Sequence, residues 1–257
     1  MTQLAFILDG KKKARIFSDT QASTTLGKKW FYYKVSHLER AGLAITGRGF
    51  VITSNHIVDI AKKYNLSSFD EYLPHWPGIL KEAMKLTVID GFQKSLEDGR
   101  DKEKVVRLLI QSSPEKVIEF FKEAAGPSDN PVVIAGLVPS EFEHDLFVVG
   151  YSQKKKTMGL VYVSSMNDFK PMEQYQKNAP VFMCAYKVAE YFRNRGIPKT
   201  DKDIVTGMRV SWQSEVLNGV HLSKDLPPDV KIKKTTVYAN GKFSVNTVGP
   251  LCKKGRR

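Results

Sequence analysis

The chain has 257 residues, and 40 Lys+Arg against 27 Asp+Glu give a formal charge of +13 at pH 7. Hydrophobic residues make up 42% and aromatics 11%, which is enough for a core and too much for a disordered chain. No apolar run approaches the roughly 20 residues of a membrane helix, the start lacks the basic and apolar regions of a secretion signal, and Cys184 and Cys252 alone exclude a disulfide framework or a four-thiolate zinc site.

A soluble, cytoplasmic chain folded as one domain over 1–257 is the expectation. Residues 3–8 are an apolar run, Asp9-Gly10 is a hairpin signal, and 14–17 answer as a second strand. The polar stretch 21–29 reads as a loop. Residues 30–35, aromatic and β-branched, form a third strand, and 43–46 a fourth, ending in Gly47-Arg48-Gly49. In 50–64 the apolar positions Val51, Ile52, Ile57, Ile60 and Ala61 recur near a 3.6 period, which predicts a helix.

Pro74-His75-Trp76-Pro77-Gly78 reads as a break before a long helix over 79–96. Helical pieces over 103–110 and 114–124 follow, the second with Ser113 as N-cap and Pro114 at its first position. The span 99–128 reads as a helical insertion. Strands return at 132–138, 146–151 and 158–163. An apolar run at 180–184 leads into a helix over 186–195, stopped by Gly196-Ile197-Pro198. Thr200 or Asp201 caps another helix reaching about 217. Residues 230–239 and 242–248 close the chain as a hairpin around Asn240-Gly241, a type I′ turn signal, before a basic tail at 252–257. Strand blocks alternating with helix blocks predict an α+β fold, a four-layer αββα sandwich of two antiparallel sheets flanked by helices.

Thr2 is the residue with chemical meaning at the start. Removal of Met1 would give it a free α-amino group, with a reference pKa of about 7.7–8.0. An amine neutral near pH 7 can take the proton of the adjacent hydroxyl, so one residue supplies nucleophile and base. Such a site needs a buried Lys to hold the amine's pKa down, a carboxylate to clamp that Lys, and a backbone N–H as oxyanion donor, where glycine permits close approach.

Four segments carry a resemblance. Thr2 opens the first strand, Ser18-Asp19-Thr20-Gln21-Ala22-Ser23 ends the second, Lys34-Val35 ends the third, and Ala44-Ile45-Thr46-Gly47 forms the fourth. Together they resemble the proteasome β-type peptidases of the N-terminal-nucleophile hydrolases, nearest to the bacterial proteasome-like peptidases that begin Met-Thr. The resemblance implies Thr2 as nucleophile, Asp19 as orienting carboxylate, Lys34 as catalytic Lys and Gly47 as oxyanion glycine. It implies a substrate groove between Thr20, Gln21 and Ala22 on one side and Thr46 to Gly49 on the other.

Lys34 follows Thr2 by 32 positions and Gly47 by 45, as in that family, whereas Asp19, at 17, lies one residue beyond the usual place. The family's glycine-serine pair is missing from Phe182-Met183-Cys184-Ala185-Tyr186, and its relay aspartate from Leu217-Asn218-Gly219-Val220-His221. The implied activity is threonine-type endopeptidase cleavage of unfolded polypeptide by a homo-oligomeric ring, with an unfolding ATPase as partner and no cofactor.

Two other readings stand beside it. Loss of the relay group with retention of Met1 describes an inactive structural or assembly subunit. The clusters Lys11-Lys12-Lys13, Lys28-Lys29, Lys154-Lys155-Lys156 and Lys233-Lys234 describe either solvated loop tips or a nucleic-acid surface. The five histidines show no metal-ligand spacing, and no metal is expected. His56 reads as a core residue. Glu141, Glu143, His144 and Asp145 form an acidic cluster whose oxygens suit a hard cation.

Overall fold

The computed structural model describes residues 3–23, 29–49, 51–96, 144–175, 181–183, 192, 195–196, 200–217 and 230–250. The expected insertion at 99–128, the strand at 132–138 and the tail at 252–257 lie outside them.

The chain opens with β1 (Leu4–Asp9) and β2 (Lys13–Asp19), an antiparallel pair. The stretch expected to be a loop instead holds β3 (Gln21–Ser23), paired with β4 (Lys29–Phe31). The expected third strand is split. Tyr32, Tyr33 and Lys34 lie between β4 and β5 (Val35–Leu38), which pairs with β6 (Leu43–Arg48).

Helix α1 (Val51–Tyr64) is followed by the short α2 (Phe69–Tyr72) and by α3 (Trp76–Leu96). The Pro-rich stretch does not end helical structure. Pro74 lies in a 3-10 turn, and Pro77 lies in the first turn of α3, where a missing N–H costs no hydrogen bond. Strands β7 (Asp145–Ser152), β8 (Thr157–Ser164), β9 (Met172–Tyr175) and β10 (Val181–Met183) follow. Helix α4 (Asp201–Leu217) begins after Thr200, whose hydroxyl accepts from the Asp203 N–H at 3.2 Å, while the Asp203 carboxylate accepts from the Thr200 N–H at 2.9 Å. This reciprocal pair is a capping box closed by Asp.

The hairpin of β11 (Lys231–Tyr238) and β12 (Phe243–Pro250) closes the described chain. Its turn is not type I′. That turn needs positive φ at both central residues, and here Gly241 has it (78°) while Asn240 does not.

The strands make two five-stranded antiparallel sheets, ordered β10-β1-β2-β11-β12 and β5-β6-β7-β8-β9. Alternation with period two decides what each strand contacts. Leu4, Phe6 and Leu8 meet Ala44, Phe147, Val149 and Leu160 between the sheets. Ala5 and Ile7, on the opposite face of β1, pack with Phe17 under Ile204, Met208 and Trp212 of α4. Leu43 and Ile45 of β6 face outward onto Ile57 and Ile60 of α1 and Trp76 and Leu80 of α3. The result is the expected four-layer αββα sandwich, with the start of β1 and the end of β6 meeting at one end of the inter-sheet core.

Candidate active site

Asp19 is the last residue of β2, beside the start of β1. Antiparallel pairing brings Gln3 across from it. The Asp19 N–H donates to the Gln3 carbonyl at 3.2 Å, and the Gln3 N–H donates to Asp19 Oδ2 at 2.5 Å. The other carboxylate oxygen, Oδ1, accepts from Lys34 Nζ at 2.5 Å. Both side chains are 2% exposed. A buried carboxylate thus joins the backbone of residue 3 to an ammonium in a low-dielectric setting, where charge-assisted bonds are strong.

Lys34 is held by its backbone as well. The Thr46 hydroxyl donates to the Lys34 carbonyl at 2.9 Å, tying the segment before β5 to β6. Val35, next in sequence, enters the inter-sheet core and turns Lys34 the other way. Thr20 is buried, its N–H bonded to the Lys231 carbonyl and its hydroxyl accepting from the Lys231 N–H at 3.1 Å. Its carbonyl accepts from the Tyr32 N–H at 3.0 Å. Burial, and secondarily the Asp19 charge, push the Tyr32 phenol up to about 12. It is therefore a neutral donor at any physiological pH.

Gly47, in β6, pairs with Leu146 of β7. A Cβ there would lie 2.7 Å from His144 Nε2 and 2.9 Å from the Asp145 carbonyl oxygen, so only glycine fits without displacing backbone. Gly49, exposed just before α1, has φ of 139°, which a side chain would strain. Gln21 and Ala22 lie in β3 opposite Phe31 and Trp30. Thr2 lies outside the described residues. Lys34, Thr46 and Gly47 line one cleft together with Ser54 of α1 and His144.

His144 is buried beside Gly47, a place its sequence context did not reveal. Of the acidic cluster expected around it, Glu141 and Glu143 lie outside the described residues. Asp145 pairs with Arg48 at 2.7 Å and accepts from the Tyr162 hydroxyl at 2.9 Å. The His144 side chain is fully buried, and burial above all lowers its pKa to about 4, with Asp145 opposing and Arg48 reinforcing. Its position just ahead of the apolar run 146–149 was the available signal. His56, expected in the core, is half-buried and bridges α1 to α3 through Asp90 at 2.9 Å.

No protein-family model matches this chain, and no curated protein matches it. Solved structures do. An "Anbu (ancestral beta-subunit)" from Yersinia bercovieri superposes with a TM-score of 0.54 at 11% identity, covering 97% of this chain and 88% of that one. A Gly-1 mutant of Anbu from Hyphomicrobium sp. strain MC1 gives 0.54 at 8% identity, over 96% of this chain and 87% of that one. A second Anbu structure from that strain gives 0.50 at 10% identity. The fold is therefore proteasome-like.

The kinship read from the first fifty residues is corrected accordingly. With no family model matched and identities of 8–11%, the proteasome β-type peptidases share this chain's architecture, and membership among them is not supported.

Proposed function

We propose that this chain is an N-terminal threonine hydrolase acting on polypeptide. The observation that carries the reading is the buried Lys34–Asp19–Gln3 arrangement. A trans peptide holds consecutive Cα atoms about 3.8 Å apart. A residue bonded to Gln3 is therefore covalently tethered beside the carboxylate that clamps Lys34.

After removal of Met1, the Thr2 amine takes the hydroxyl proton as Oγ attacks the substrate carbonyl. The Lys34 ammonium disfavours prior protonation of that amine and favours developing negative charge on Oγ. A backbone N–H at Gly47 receives the oxyanion. Collapse breaks the C–N bond, the amine returns its proton to the leaving nitrogen, and water with the amine as base hydrolyses the ester. Thr20, Gln21 and Ala22 on one side and Thr46 to Gly49 on the other flank the substrate.

Intact-mass measurement of the purified chain and turnover of a fluorogenic peptide panel by wild type and Thr2→Ala test the reading. Loss of Met1, together with turnover abolished in Thr2→Ala, is expected. Retained Met1 or equal turnover by the two proteins would overturn it and favour a structural subunit of the same fold. Oligomeric assembly is part of the proposal, supported by the β-subunit named in the similar structure, and light scattering measures it.

A further inference from the structure

The first sheet ends on β12, and among the described residues no strand pairs with its outer side. The other sheet ends, β10, β5 and β9, are strands of three, four and four residues. β12 has eight, with no charged side chain and a proline only at its last position. Its ladder to β11 is regular from Phe243 to Thr247, and the register slips by one residue only beyond that point. Charges, prolines and bulges are what keep a sheet edge from pairing, and the stretch 243–247 has none of them.

The hairpin decides which backbone groups this edge presents. The Tyr238 N–H donates to the Lys242 carbonyl at 3.0 Å. Bonded and non-bonded pairs alternate from there along an antiparallel ladder. Ser244 and Asn246 therefore bond inward to Thr236 and Lys234, while Phe243, Val245 and Thr247 turn their N–H and C=O groups outward. The Phe243 ring stacks on His37 of β5 at 4.2 Å, which steadies the start of the strand. Val245, 42% exposed, and Thr247, also exposed, stand on the same face. Only another extended backbone can satisfy such a row of groups in register.

Charge says what kind of chain that is. Lys231 and Lys233 of β11 lie on the face that carries Val245 and Thr247, Lys233 directly beside Thr247. Among the described residues neither ammonium has an ion-pair partner. On the opposite face the cations are committed: Lys234 pairs with Asp201, and Arg209 donates to the Pro250 carbonyl at 2.7 Å. Residues 231–250 contain no Asp or Glu, so a second copy pairing through β12 would bring lysines and no carboxylate to meet them.

We propose that the edge of β12 receives an extended acidic segment of a partner polypeptide, paired to Phe243, Val245 and Thr247 and directing alternate carboxylates toward Lys231 and Lys233. Strand addition of this kind draws affinity from the backbone bonds and specificity from alternate side chains. The surface is independent of the hydrolase reading, so failed peptide turnover leaves it untouched.

Fluorescence anisotropy tests it on the full-length protein with a labelled peptide of repeated Thr-Glu-Val-Glu sequence. One control is the same peptide N-methylated at alternate residues, which cannot pair along an edge. The other carries Lys in place of Glu. Saturable binding of the Glu peptide at physiological salt is expected, about tenfold or more tighter than either control. Val245→Pro removes one outward N–H and spares the ladder to β11. It and Lys233→Glu are each expected to weaken binding by a similar factor. Equal binding of the N-methylated peptide would overturn the proposal, because charge alone would then explain the attraction. Equal binding of the Lys peptide, or binding of none, would also overturn it. Self-association of the free protein that Val245→Pro abolishes would overturn it in favour of a second copy on this edge. If Val245→Pro does not fold, the N-methylated peptide still decides.

Discussion

Asp19 accepts from the Gln3 N–H on one oxygen and from the Lys34 ammonium on the other, out of contact with water. Removing one partner of such a pair leaves the other charge buried and uncompensated, which costs about 3–5 kcal/mol, whereas an apolar replacement of both costs far less. Lys34→Met is therefore expected to lower the unfolding free energy by about 3 kcal/mol. The double variant Lys34→Met/Asp19→Leu should recover part of the loss in urea denaturation, and neither should turn over peptide.

Gly47→Ala faces a ring nitrogen at 2.7 Å and a backbone carbonyl at 2.9 Å, so it should cost about 1–3 kcal/mol. Adding His144→Ala should restore a fraction only, since the Asp145 carbonyl remains.

His144 also makes stability depend on pH. The fold holds its pKa at about 4, against an ordinary value of 6.5, so between these values the unfolded chain binds the extra proton. Stability is full above about 6.5 and falls as pH drops toward 4, by about 3 kcal/mol in all. Asp201, whose carboxyl is held, against the effect of burial, below its ordinary value by Lys234 and Arg15, adds a loss of the same sign at the acid end. The histidine's share is thus the difference between wild type and His144→Gln, measured by denaturation at pH 7 and pH 4.5. No such difference would mean that the folded chain binds the proton as readily as the unfolded one.

At the scale of elements, the two sheets are joined to their helices by shape as much as by area. Gly150 of β7 and Gly159 of β8 sit opposite each other in register. The Phe69 ring of α2 lies over both: a Cβ on Gly150 would meet it at 2.8 Å, and one on Gly159 at 2.9 Å. Two missing side chains thus form the slot that seats α2 on the outer sheet. Phe69→Ala would empty a fully buried site at a cost of about 3–5 kcal/mol. Gly159→Val would expel the same ring, and both changes should lower the thermal midpoint while leaving the Lys34–Asp19 end of the molecule intact.

The strands themselves were legible from residue patterns: β1, β2, β6, β7 and β8 follow the apolar runs read from the sequence. The β3–β4 pair was legible only in part: residues 30 and 31 of β4 fall in the expected third strand, whereas β3 is three short residues in a polar stretch and leaves no periodic trace. The split before β5 was also hidden. Tyr32 to Lys34 have strand composition, and long-range hydrogen bonds, from Tyr32 to Thr20, from Thr46 to Lys34 and from Lys34 to Asp19, turn them toward the site.

For the molecule as a whole, the excess of 13 positive charges remains open to a physical check. Lys154, Lys155 and Lys156 sit in the exposed turn between β7 and β8, and Lys11 to Lys13 at the turn after β1 are exposed. Lys234, by contrast, is part-buried and committed to Asp201, which also pairs with Arg15. These clusters lie at separate turns, the pattern of solvated loop tips. Titration of single- and double-stranded nucleic acid at two salt concentrations should show only weak binding that disappears at physiological salt. Tight binding there would favour a nucleic-acid surface. Among the described residues no helix is long and apolar enough to cross a membrane.

Period-two apolar runs, a helical period in 50–64 and the turn residues between them determined the four-layer architecture, because each strand must bury one face and each helix one stripe. The residue types at Asp19, Lys34 and Gly47 were equally open to reading. Whether they meet was decided by tertiary structure alone. Burial of an ammonium against a carboxylate depends on which way Val35 turns its neighbour, and the closeness of His144 to Gly47 depends on a strand register nearly one hundred residues away in the chain. Long-range pairing of this kind has no local signature, since it is fixed by the combined fit of both sheets.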